Sequence, residues 1–375
     1  MNTASVAIVG GGLSGLYAAY LLEQRGIKDY VLFEARGCLG GRIASASAVN
    51  GVPGERGVEA PIDRFDLGPT WFWPGIQPQL DQLIRELGLE RFEQFETGDM
   101  MVERTPSAPP QRMQGYLTSP ASMRLRGGMG ALTDALCGHL DAGRIFISHA
   151  VRRIRADATY IELDTEDSTG RSIPWHAEHV LLAIPPRLLA GSIEFSPALP
   201  EALAQAWRAT ATWMAPHAKY VAVYDTPFWR DHGLSGEARS ARGPLTEIHD
   251  ASMPEGSGAL FGFFGVPAQV RMGVSDEVLC SHCRAQFVRL FGTQAATPKA
   301  EFIKDWARDP YTATAADLDE AGHHGQAPPS TAGSGPWRER LTAIASEFSP
   351  QFPGYVAGAI EAATMGVERL PEHPG

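Results

Sequence analysis

The tightest constraint on how this chain can fold lies at its N-terminus. Residues 5–9 are a short β-type run. They meet the string Gly10-Gly11-Gly12-Leu13-Ser14-Gly15, and residues 13–25 then read as a helix stopped by Gly26. Residues 30–33 form a second strand that ends on Glu34. Strand, glycine turn, helix and strand in this order make one βαβ unit, so the sheet they start must be largely parallel. The glycines answer three needs: a tight turn, close approach of backbone to a pyrophosphate, and close packing of helix on sheet. The helix N-terminus offers free N–H groups and a partial positive charge to phosphate. Glu34 offers acceptors to the ribose hydroxyls of an adenosine and repels a 2′-phosphate. The turn alone does not separate NAD from FAD.

The next residues do. Glu34-Ala35-Arg36 runs into Gly40-Gly41-Arg42. Arg36 and Arg42 can give charge-assisted hydrogen bonds to pyrophosphate and ribose, and Gly40-Gly41 lets the backbone pass close to a cofactor. This string resembles the FAD-binding start of the flavin amine oxidase family, and the likeness recurs down the chain in the family's order. Asp66-Leu67-Gly68-Pro69-Thr70-Trp71 resembles the Asp-Leu-Gly-Gly segment beside the flavin, with Pro69 where the second glycine is usual. Arg126-Gly127-Gly128-Met129-Gly130 resembles the turn where the chain re-enters the FAD domain, and Val151 matches a valine at the adenosine. The stretch Val-Leu-Leu-Ala-Ile-Pro at 180–185 resembles the strand that leaves it, and Asp305-Trp306 leads to Tyr311. Ala345-Ser346-Glu347 resembles a Gly-Thr-Glu motif, and Gly354-Tyr355-Val356 opens the stretch that resembles the C-terminal flavin-binding turn and helix.

The resemblance implies an α/β fold of two interleaved domains: a Rossmann-like FAD-binding domain of residues 1–74, 122–189 and 305–375, and a smaller α+β substrate domain of residues 75–121 and 190–304. It implies an enzyme that moves a hydride equivalent from the C–N bond of an amine or amino acid to flavin N5, giving an imine, with O2 returning the flavin to its oxidised form as H2O2 is made. Lys219 sits where the family places a lysine that holds a water beside N5. By alternation it shares its strand face with Val221 and Val223. Tyr355 matches one of two rings that flank the substrate nitrogen. The other position falls on Ala316, leaving Trp71, Trp73 or Trp213 to replace it or room for a bulkier substrate. The covalent attachment position aligns with Ala315, and the last cysteine is Cys283, so the FAD is expected to be non-covalent. Two alternatives stay open on the residues alone: a related desaturase or oxidative decarboxylase, and a flavin-binding partner protein without turnover.

The formal net charge of -11 argues against nucleic acid or an anionic membrane as the main partner. Four cysteines are too few for a disulfide scaffold. No signal peptide or spanning segment is expected, and a cytoplasmic protein is. Further helices are expected at 79–87, 131–140, 276–290 (opened by Ser275) and 355–367, and strands at 144–148, 151–154, 159–163, 179–183 and 218–224. Residues 319–335, with His323 and His324, read as a loop. Cys280 and Cys283 on a helix read as structural, and His249-Asp250 as a polar strand end.

Overall fold

The computed structural model describes residues 2–47, 63–319 and 326–371. The His323-His324 pair and part of the expected 319–335 loop lie outside them. The chain divides into two compact units: Met1–Arg42, Leu132–Ala215 and Pro310–Gly375 make one, and Ile43–Ala131 with Pro216–Asp309 the other, only slightly the smaller.

In the first unit β1 (Asn2–Val9), α1 (Leu13–Gln24) and β2 (Tyr30–Glu34) form the expected βαβ unit. β1 lies between β2 and the strand Ser172–Leu182, parallel to both, and Ile145–Ile147 extends the parallel set beyond β2. Ala150–Ala156 and Ile161–Glu166 add antiparallel neighbours on the far side, so the sheet is mixed. Every residue of β2 is buried, as suits a strand covered on both faces. Leu341–Ala343 also pairs with Ser172–Leu182, bringing the C-terminal segment onto the sheet. The core joins Ala7, Val9, Phe33, Val180 and Leu182 to Trp207, Trp337 and Phe348.

The second unit is built on a seven-stranded sheet. At its heart Ala218–Tyr224, observed over the residues the alternation predicts, runs antiparallel to Gly258–Phe264 and to Ala300–Asp305. One face carries Tyr220, Ala222 and Tyr224 and packs under the helix Asp276–Phe291 through Leu279, Cys283, Phe287 and Leu290. Ser275 caps that helix by accepting from Val278 N. The opposite face carries Val221 and Val223 with Phe65, Ala259 and Phe261.

Two differences from the sequence reading have physical causes. Residues 43–47, 63–74 and 122–131, expected with the FAD domain, pack with the second unit, and 190–215 pack with the first. Phe65 joins the apolar cluster around Val221, whereas Leu203 and Trp207 fill the core around Phe348. The strand expected at 179–183 begins earlier, at Ser172, because its N-terminal half pairs with Ile161–Glu166. Cys280 and Cys283 are both free thiols on one helix, and Cys283 is buried. No group of metal-ligating side chains occurs among the described residues, and no helix there is long and apolar enough to cross a membrane.

Candidate functional site

In the first unit the glycine turn is fixed on all sides. Gly10 N donates to Phe33 O at 2.8 Å, and Gly40 N donates to Gly11 O at 2.9 Å. Gly15 must be glycine: a Cβ there would lie 1.9 Å from Gly10 O. Gly41 has φ +59°, and a Cβ on it would stand 3.0 Å from Gly12 Cα. Leu13 and Ser14 are buried in the first turn of α1, whose N-cap Gly12 makes no side-chain cap and whose first turn holds no acidic residue. The N–H groups of that turn are left for an anion.

Glu34 is buried, with Oε2 accepting from Gly11 N at 2.7 Å and Oε1 from Arg36 N at 2.7 Å. Its carboxylate braces the turn, and each oxygen keeps a lone pair for a ribose hydroxyl. Half-buried Ala35 and Arg36 follow it. The Arg36 guanidinium lies 5.2 Å from the Tyr311 ring centroid, and Nη2 donates to Thr312 Oγ1 at 3.1 Å. Arg42 is paired within the protein while its side chain stays 25% exposed. Nη1 and Nη2 donate to Glu347 Oε1 and Oε2 at 2.5 and 3.0 Å, and Nη2 reaches Ser346 Oγ at 3.1 Å. Burial pushes the Glu347 carboxyl up, but Arg42 and the Ser346 hydroxyl outweigh it and hold Glu347 below the usual carboxylate range. Val151 packs in the core.

The C-terminal turn repeats the arrangement. Gly354 has φ +82°, and its N–H donates to Ser346 O at 3.1 Å. Tyr355, 41% exposed, is the N-cap of the helix Val356–Glu368, which again has no side-chain cap and no acid in its first turn. Buried Glu361 pins the preceding loop by accepting from Ser349 Oγ and Gln351 N. Two bare helix N-termini, a buried acid at the end of β2 and a glycine turn that excludes side chains fit a dinucleotide such as FAD.

In the second unit the centre is Lys219, 2% exposed. Nζ donates to Gly68 O at 2.7 Å, to Thr70 Oγ1 at 2.8 Å and to Asp66 O at 3.1 Å. It lies 4.4 Å from the ring centroid of Phe261 and 5.3 Å from that of Phe263. The lysine thus grips the segment that the sequence reading placed beside the flavin. Pro69 costs this grip nothing, because the bonds run to the oxygens of its neighbours. Trp306 holds the same segment from another side: Nε1 donates to Leu67 O at 3.1 Å, while Lys304 Nζ lies over its ring.

Two buried charges accompany Lys219 that the sequence reading did not single out. Asp66 Oδ1 accepts from Met129 N at 2.7 Å and Ser45 Oγ at 3.1 Å, and Oδ2 is buried without a hydrogen-bond partner. Arg124 donates to Ala251 O and Ser252 O and covers the Phe92 ring. Burial lowers the Lys219 ammonium to about 7, opposed by Asp66 and reinforced by Arg124. Burial likewise raises Asp66, against the pull of Lys219 and Arg124. An arginine between Met123 and Leu125 carries no sequence signal of burial. The signal for Asp66 was its place in the Asp-Leu-Gly motif.

His249 and Asp250 do not form a pair. His249 Nε2 meets Glu247 Oε1 at 2.7 Å and its ring stacks on Phe261, while Asp250 accepts from Trp229 Nε1 and Arg230 Nε at 2.9 Å each. Trp71 packs edge-on against His249 with centroids 4.9 Å apart and donates to Gln94 Oε1 at 2.8 Å. Trp73 donates to Ser122 Oγ. Ala315 and Ala316 start a short helix, Ala315–Asp319, in the first unit.

Residues 92–370 match the family described as flavin containing amine oxidoreductase, and residues 8–87 match an NAD(P)-binding Rossmann-like domain. A protein named as a probable flavin-containing monoamine oxidase A of Dictyostelium discoideum is 27% identical over 248 residues, 64% of this chain and 51% of that one. Putrescine oxidase of Kocuria rosea is 29% identical over 246 residues, 60% of this chain and 48% of that one. The chain spans about half the length of these curated relatives. A putrescine oxidase solved as the wild type bound to putrescine superposes with a TM-score of 0.78 at 20% identity, over 98% of each chain. At that identity the likeness shows the fold.

Proposed function

The chain belongs to the flavin-containing amine oxidoreductases, with FAD as its cofactor, and on that premise we propose that it oxidises the C–N bond of a small amine or amino acid, with O2 as the final acceptor. The observation that carries this reading is Lys219: a fully buried lysine whose Nζ is gripped by Asp66, Gly68 and Thr70, the segment that resembles the family's flavin-side loop. FAD, when bound, supplies the acceptor for the hydride equivalent. Everything else falls to the chain's own residues. The α1 and Val356–Glu368 N-termini would favour the negative charge of a bound cofactor, its pyrophosphate and its reduced ring system. Glu34 would take the ribose, Arg36 would add cationic charge nearby, and Arg42 holds Ser346 and Glu347 in place. Leu13, Ser14, Gly68, Pro69, Trp71, Val151, Trp306 and Val356 shape the cofactor's surroundings.

Lys219 assists reoxidation of the flavin, and Tyr355 orients the substrate nitrogen by its ring face. With Ala316 at the second cage position, either a bulkier substrate is taken or a ring such as Trp71, Trp73 or Trp213 replaces it. The FAD is proposed to be non-covalent, because alanine occupies position 315.

The deciding experiment mixes the FAD-loaded protein anaerobically with a panel of amines and amino acids. At least one should bleach the flavin band, and admission of oxygen should return the colour with H2O2. Acid precipitation of the same preparation should leave the colour in the supernatant. A yellow protein that no member of the panel bleaches would refute the oxidase reading.

A further inference from the structure

Lys219 Nζ has three partners, and three is the most an ammonium can serve. Two of them, the carbonyls of Asp66 and Gly68, only accept. The third, the Thr70 hydroxyl, either accepts or donates. Thr70 is itself buried, and no acceptor among the described residues takes its hydroxyl hydrogen. Charged, Nζ donates to all three, and the hydroxyl hydrogen points onward. Neutral, Nζ donates to the two carbonyls, and its lone pair accepts from Thr70. Both forms are satisfied without moving a heavy atom.

Among the described residues, the other neighbours cannot carry a proton away. Phe261 and Phe263 on the adjoining strand are rings. Lys304, the register partner of Lys219 on the other side, is itself bound to Asp309 at 2.9 Å. Asp66 presents its backbone oxygen rather than its carboxyl to Nζ, and Arg124 is turned onto backbone carbonyls.

We propose that Thr70 is the proton relay of Lys219, the group among the described residues through which the buried amine exchanges its proton. The proposal rests on the reading that Lys219 serves the flavin. In each pass an Nζ–H bond breaks as an O–H bond forms at Thr70 Oγ1. The hydroxyl's former hydrogen leaves to the acceptor beyond it, and water beyond Thr70 later returns a proton to Nζ by the reverse transfer through Oγ1. No electron moves in the relay. When dioxygen is reduced, it takes two electrons from the reduced flavin and two protons to become hydrogen peroxide, and the relay supplies one of those protons. Burial, which holds Lys219 at about 7, keeps both of its forms populated at neutral pH.

The test uses Thr70→Val, which keeps the shape and removes the hydroxyl, and Thr70→Ser, which restores it. The sequence holds only four lysines, Lys28, Lys219, Lys299 and Lys304, so ε-13C-lysine labelling resolves the Lys219 titration by NMR in flavin-free protein. Thr70→Val removes an acceptor of the charged form, so the Lys219 midpoint should fall by about one pH unit, and Thr70→Ser should return it. In FAD-loaded protein, reduced by light and mixed with oxygen in the absence of any amine, Thr70→Val should reoxidise about ten-fold more slowly or worse, and Thr70→Ser near the wild-type rate. An unchanged Lys219 titration in Thr70→Val, or an unchanged reoxidation rate, would overturn the relay. Because no amine is used, a wrong substrate assignment would show in the amine panel and leave this result standing.

Discussion

Burial disfavours the Lys219 ammonium, and Asp66 offsets this only in part because its own carboxyl is buried. The folded-state value of about 7 lies below the value of about 10.4 for an unfolded lysine. Between these two values the unfolded chain binds more protons than the folded one, so this group makes stability rise with pH from about 7 to about 10 and adds no slope outside that window. Lys219→Met should remove the slope. Urea unfolding at pH 7 and pH 10 should show the mutant gaining on wild type at the lower pH by roughly 2–4 kcal/mol. Period-two alternation was enough to put Lys219 on the Val221 face. It could not show that Arg124 and Asp66 share its surroundings, because these residues come together only when Met123–Leu125 pairs with Arg91–Glu93 and Arg64–Asp66 pairs with Ser45–Ser47.

At the scale of elements, local chemistry and local signal agree where a turn or cap is involved. The β1–α1 turn, the Ser275 cap and the strand Ala218–Tyr224 lie where residue types placed them. The strands Leu234–Ser240 and Leu245–Asp250 carry no such signal. Ser235, Glu237, Ser240 and Asp250 are buried polar residues satisfied by tertiary partners, such as Glu103 for Ser240 and Trp229 for Asp250. The turn itself gives a sharp prediction. Gly15→Ala puts a methyl into Gly10 O and should cost about 3 kcal/mol in thermal unfolding, with loss of the yellow colour on purification. Gly191→Ala, where an added Cβ meets nothing within 4 Å, is the control and should melt like wild type.

Over the whole molecule, the first unit is closed by contacts between distant parts of the chain. Arg42 and Glu347 are 305 residues apart, and their bidentate pair ties the end of the N-terminal motif to the segment before the C-terminal helix. Arg42→Ala leaves the buried Glu347 carboxylate without its cation and should cost about 3 kcal/mol. The sign follows from the depressed Glu347 value: the pair stabilises fully above the unfolded carboxyl value and is lost as pH falls through the lower folded one. Unfolding free energies of wild type and Arg42→Ala should therefore converge in acid and stand furthest apart near neutrality.

Motif order alone carried the family, the FAD and the interleaving of two domains, because turn glycines, a strand-end acid and an alternating strand act through neighbours a few residues away. The units' boundaries were beyond its reach. Whether residues 63–74 pack with one core or the other depends on where Phe65 finds apolar partners, and those lie on strands more than 150 residues downstream. Tertiary structure also gave Arg42 its partner Glu347, and made Lys219 the centre of a buried charge group. A side chain's local type fixes which bonds it can make. Only the fold decides which acceptors are near and how much water is left to compete for them.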